Sequence, residues 1–194
     1  MNGVSDDKRR ISKIEAARRQ LDCAIELWFM DGDDVSIHTL AGAAYQIIHD
    51  LKEHRGEVRP LLYDADQIKD EYRNQWINLV KRAVNFFKHA DKNPDDTVVF
   101  SPSQNMLFLM SAAGGIRLLG EQTSHAVNAF TFWMVINKPT WITPQFRKLF
   151  EDRISVEDLQ EFKTTISKKD FFEIYTDTSA GRRTAIARGN IRVD

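Results

Sequence analysis

Glu71, Gln75, Asn78, Arg82, Asn85 and His89 follow one another at intervals of four, three, four, three and four residues. At about 100° per residue of α-helix, these polar side chains fall in one narrow sector. Asn85 reaches both Arg82 and His89 through i,i+3 and i,i+4 contacts. A neutral imidazole, with an ordinary pKa of about 6.5, can accept the proton of a ribose 2′-hydroxyl. A guanidinium can pair bidentately with a phosphate as charge builds. Six aligned polar positions need hydrogen-bond partners, from the protein, water or a ligand. On a helical wheel the line borders the apolar arc, which predicts partly buried side chains in a groove where a second helix or subunit approaches.

The segment Arg82-Ala83-Val84-Asn85-Phe86-Phe87-Lys88-His89 resembles the signature of HEPN domains, all-helical modules in which an Arg is followed a few residues later by a His. The resemblance implies an RNA-directed protein, in its active form a metal-independent endoribonuclease without cofactor. Its composite site forms where two copies of the motif meet across a homodimer. His89 would then be general base or acid, Arg82 would stabilise the pentacoordinate phosphate, and Asn85 would orient the imidazole or contact the ribose. Lys88, Asn78 and Gln75 would contact RNA, and the product would end in a 2′,3′-cyclic phosphate. A toxin-like or defence role, with a cognate antitoxin or partner protein, belongs to the same implication, as does a non-catalytic RNA-binding module. One position departs from the pattern: Ala83 stands where a polar residue often follows the Arg.

Other chemistries are less well furnished. A non-enzymatic helical interaction or nucleotide-binding protein would use the stripe as a subunit seam, with Arg82 and Asn85 bridging helices and His89 favoured by a helix C-terminus. The step His49-Asp50 resembles HD-type metal phosphohydrolases. Their second His is not supplied by His38, which on one continuous helix would lie about 16 Å away, far beyond what one metal ion spans. His89 or His125 would have to supply it, and His49–Glu53 and Asp50–His54 read more simply as i,i+4 surface pairs. Neither paired Glu-x-x-His motifs for a di-metal bundle, nor a phosphate-binding glycine loop, nor a nucleophile elbow is present, and no metal ligand is assigned.

Composition sets the frame for these side chains. With 27 basic and 28 acidic residues the net charge is -1, so attraction to a polyanion has to be local. Cys23, the single cysteine, excludes an internal disulfide framework and is expected to be a buried structural thiol. The polar start and the lack of a long apolar window predict a cytoplasmic protein that does not span a membrane.

Periodicity predicts an all-α fold, an irregular bundle of five main helices with smaller C-terminal ones. The first helix covers about residues 9 to 30 and ends at Asp31-Gly32-Asp33-Asp34. The second, about 37 to 54, is capped by Ser36, carries Ile37, Leu40, Ala41, Ala44, Ile47, Ile48 and Leu51 on its apolar face, and stops at Arg55-Gly56. The third, about 66 to 90, packs through Tyr72, Trp76, Ile77, Val80, Val84 and Phe87 and carries the stripe. A short extended piece is expected at Thr97 to Phe100. A helix from Ser103 follows, with tight packing or a kink at Gly114-Gly115, then one from about 123 to 137. Trp133 and Trp141 read as core more readily than as base-stacking platforms. Pro144 to Glu151, a capped helix from Ser155 with Asp158 three residues on, and the run Phe171 to Tyr175 complete a single domain over residues 1–175. Residues 176–194, with Arg182, Arg183, Arg188 and Arg192, are expected to form a mobile tail that adds phosphate contacts.

Overall fold

Capping chemistry sets the helix boundaries in the computed structural model, which describes residues 8–91, 94–151 and 166–179. The elements are α1 (Lys13–Phe29), α2 (Asp34–His54), a 3-10 turn at Asp70–Tyr72, α3 (Arg73–Phe86), α4 (Gln104–Leu118), α5 (His125–Asn137), a second 3-10 turn at Pro139–Trp141, α6 (Pro144–Glu151) and α7 (Lys168–Ser179). Every regular element among the described residues is thus helical, as periodicity predicts. The Ser12 hydroxyl accepts the Glu15 amide to open α1. Asp33 caps α2 by accepting the Ser36 amide at 2.7 Å, so Ser36 is the donor and not the expected cap. α2 stops at Arg55-Gly56, where Gly56 takes φ 70 and the Glu57 amide returns to the Lys52 carbonyl at 3.0 Å. No regular structure forms at Thr97 to Phe100.

α2 is the hub. It packs against α1, α3 and α4, while α1 also meets α4, α5 and α7. Leu21, Ile25 and Phe29 of α1, Tyr45 and Ile48 of α2, Phe108 and Ile116 of α4, and Phe130 and Met134 of α5 are buried together. Close approach is built on missing side chains. A Cβ at Gly115 would stand 2.3 Å from Ile48 Cγ2, and one at Gly42 would stand 2.6 Å from Val84 Cγ2. Of the Gly114-Gly115 pair, Gly115 marks tight packing of α4 on α2 while Gly114 faces open space, and α4 runs through both.

α7 closes over α1 through aromatic rings. Phe171 and Phe172 stack on Phe29 at centroid distances of 5.9 and 4.6 Å. Trp133 sets its edge against Trp28 at 4.8 Å, which makes it part of the packing. Trp141 is about half exposed.

Two expectations fail here. Cys23 is exposed, because it lies two residues, about 200° of helix, from both Leu21 and Ile25, which define the buried side of α1. The tail boundary at Thr176 falls inside α7, while residues 180–194 and the helix expected from Ser155 lie outside the described residues. No described helix is long and apolar enough to cross a membrane.

Candidate functional site

Side chains of the first turn anchor α3. The Trp76 indole donates to the Leu62 carbonyl at 2.6 Å, and the Arg73 guanidinium donates to the Ala65 and Ile68 carbonyls at 2.8 and 2.7 Å. α3 starts at Arg73, directly after the 3-10 turn at Asp70–Tyr72, and not near residue 66. Its inner arc is Ala83 and Val84, with Trp76, Ile77 and Val80 half-buried, as the apolar spacing predicts; Tyr72 is exposed.

Glu71, Gln75, Asn78, Arg82, Asn85 and His89 are all exposed. The groove-edge placement expected for them is therefore corrected. Arg82 lies about 200° from Val80, so the stripe faces away from α2. Gln75, Asn78, Arg82 and Asn85 make no side-chain hydrogen bond or ion pair among the described residues. α3 also ends earlier than expected. The Lys88 amide bonds the Asn85 carbonyl at 3.2 Å, a tightened last turn, and His89 lies beyond the helix. Its Nδ1 is 3.9 Å from Asp91 Oδ1, too far for a hydrogen bond. A single regular helix therefore does not hold Arg82 and His89 in register. Arg82, Asn85, Lys88 and His89 are each exposed toward this end of α3.

The electrostatics of this end are one-sided. Residues 73–90 contain no Asp or Glu; Lys81, Arg82 and Lys88 lie from the middle of this stretch onward, while Arg73 at the far end of α3 pairs with Asp70 at 3.2 Å. Partial desolvation of the Lys88 ammonium, and then Lys81, hold its pKa below the ordinary lysine range. Leu79 is 64% exposed and Phe86 36% exposed on the same helix. The Lys81 ammonium lies over the Tyr63 ring at 4.5 Å.

The buried polar chemistry lies on α2, where the sequence reading placed an apolar face. His38, His49 and Lys52 are all buried, and Tyr45 with them. His38 Nδ1 meets Asn105 Oδ1 of α4 at 2.8 Å. His49 is not a surface partner. Its buried Nε2 lies 3.8 Å from both Glu53 Oε1 and Asp64 Oδ1, and Tyr63 covers the ring at 5.1 Å. Lys52 pairs with Asp64. Burial pushes the His49 imidazole down, against the carboxylates of Glu53 and Asp64. Burial would raise the Asp64 carboxyl, but the Lys52 ammonium and the Leu61 amide together hold it below its usual range. Asp50 accepts from Gln46 at 2.7 Å, not from His54.

Among the described residues no group of three or more His, Cys, Asp or Glu side chains is arranged to hold a metal ion, so His49-Asp50 gains no convergent ligands. The signal for the buried cluster was present in the spacing of His38, Tyr45, His49 and Lys52 at seven, four and three residues, which places all four on the side that α2 buries. No protein-family model matches this chain, and no curated protein or solved structure matches it.

Proposed function

We propose that the C-terminal end of α3 is an RNA-directed surface of HEPN-like type. The observation that carries this reading is the exposure of Arg82, Asn85, Lys88 and His89 together, with no acidic residue from 73 to 90 and with Asp91 3.9 Å from His89. Arg82 has no competing ion pair among the described residues, so its guanidinium is free for a phosphate. Lys88 adds a second cation. His89 supplies the acid or base for the 2′-hydroxyl, Asn85 orients it or contacts the ribose, and Asn78 and Gln75 extend the polar track along α3. The surface is open, so a metal-independent endoribonuclease with these residues would need a second copy of the chain to exclude water and complete the site. A toxin-like or defence-associated role, restrained by a partner protein, is the biological form of this proposal.

Cleavage of single-stranded RNA with EDTA present tests the catalytic part. Activity is expected in the wild type and absent in both Arg82→Ala and His89→Ala, with cyclic phosphate on the product. Undiminished cleavage by both variants would overturn it. RNA binding without cleavage would reduce the proposal to a binding module.

A second reading is favoured by one feature. Tyr72, Leu79 and Phe86 recur every seven residues and are all exposed, the pattern of an apolar seam for another helix. On that reading the protein is an interaction module, and disrupting Leu79 and Phe86 would abolish assembly while leaving nucleic acid unaffected.

A further inference from the structure

His38 is fully buried, and one edge of its ring has no partner. The Asn105 amide donates to both the carbonyl and the carboxylate of Asp34 at 3.1 Å, so the Asn105 oxygen is turned toward His38. That oxygen only accepts, and Nδ1 must therefore carry the hydrogen. Nε2 is left as a bare lone pair, buried without a hydrogen-bond partner. Around the ring stand Phe100 at 4.7 Å, Phe108 at 5.1 Å and Phe87 at 5.8 Å. Phe108 belongs to α4 and is buried in the core, whereas Phe87 and Phe100 are half-buried and lie outside the helices.

We propose that His38 is a proton-sensitive positioning residue: its neutral ring is the seat on which Phe87 and Phe100 rest, and a proton on Nε2 unseats them. The proton would create a buried donor and a buried charge with hydrocarbon rings as neighbours, an arrangement that costs free energy until an acceptor or water arrives. Relief comes from the side held least firmly. α4 cannot yield without breaking its glycine contact with α2, so displacement falls to Phe87 and Phe100.

The charges around the ring agree with a neutral resting state. From α2 itself, Asp34 acts only through the Asn105 amide. α4 contributes the neutral Asn105 and Phe108, and the end of α3 contributes the Lys88 ammonium, which opposes a second cation. Burial lowers the His38 pKa, the Asn105 bond works against that, and Lys88 lowers it further. Lys88 and His89 directly follow Phe87, so unseating Phe87 moves both. That last consequence rests on reading these residues as the RNA-directed surface.

The test combines histidine side-chain nitrogen NMR with backbone hydrogen exchange at residues 87–91 and 94–100 in the full chain, compared at about pH 7.5 and about pH 5.5. At the higher pH, His38 is expected as the neutral Nδ1–H tautomer. Relative to the intrinsic exchange rate at each pH, protection of those residues should fall severalfold on acidification in the wild type and in the control His49→Gln, but not in His38→Gln. An acid response that survives in His38→Gln, or a hydrogen found on Nε2 at the higher pH, would overturn the proposal. If His38→Gln does not fold, Asn105→Asp serves instead: a carboxylate against Nδ1 favours the charged ring and should move the response to higher pH, and an unmoved response contradicts the assignment. RNA affinity followed alongside separates the two ideas, because a protein that binds no RNA at either pH loses the RNA reading while the exchange result stands or falls by itself.

Discussion

On α2, His38, His49 and Lys52 are withdrawn from solvent and set against Asn105, Asp64 and Tyr63. On α3, Gln75, Asn78, Arg82 and Asn85 stand in solvent with no side-chain partner among the described residues. The two helices pack on each other, with Val84 over Gly42, and carry polar groups of similar kind. What separates them is the number of neighbours. α2 is enclosed by α1, α3 and α4, so each polar atom on it must find a partner or bear a desolvation cost. α3 covers α2 with one face and leaves the other exposed, so Arg82, unlike Arg73 and Lys81, has no partner among the described residues. Buried polar groups here specify the bundle; exposed ones are the candidates for function.

The contrast can be broken most severely at Lys52. Its ammonium is almost wholly buried against the partly exposed Asp64, and Lys52→Ala is expected to cost about 2 kcal/mol, read by denaturant unfolding. Asn105→Ala comes next. It leaves the Nδ1 hydrogen of His38 without an acceptor, at about 1.5 kcal/mol. A loss below a few tenths of a kcal/mol in either variant would show that these contacts do not specify the fold.

Acid should expose the same difference. Burial lowers the pKa of both His38 and His49. The unfolded chain takes up protons near about pH 6.5 while the folded chain resists them, so stability is full above that pH and falls as the pH drops through it. Asp64 is lowered as well, but its contribution is lost only below about pH 4, outside this window. Thermal melts of the wild type and of a His38→Gln, His49→Gln double variant between about pH 7.5 and about pH 5 should converge in their pH dependence only if other groups dominate. The smallest effect is expected on α3, where Arg82→Ala and Asn85→Ala should change stability by no more than about 0.5 kcal/mol. A larger loss would mean that these side chains serve the fold.

The helical architecture was legible because capping residues and apolar spacing are local signals. Arg55-Gly56 and the inner arc of α3 behave as their chemistry predicts. Register at the edges was not. The six-residue stripe reads as continuous through His89, but the helix begins only at Arg73, after a 3-10 turn, and ends at Phe86. The burial of His38 and His49 was also missed. Both lie on the face that the sequence marks with Tyr45 and Ile48, but whether a histidine there is buried depends on residues 15 to 67 positions away, Asp64 for one and Asn105 for the other. Spacing within one helix carries no record of such partners.

The central claim is that the free cations at the end of α3 meet nucleic acid. Titration of a labelled single-stranded RNA by fluorescence anisotropy, repeated across salt concentrations, measures this directly. For the wild type the logarithm of affinity should fall linearly with the logarithm of salt, and Arg82→Ala and Lys88→Ala should each weaken binding and reduce that slope by about 0.7, the share of one phosphate on a single strand. Affinities and slopes identical in wild type and both variants would contradict the account.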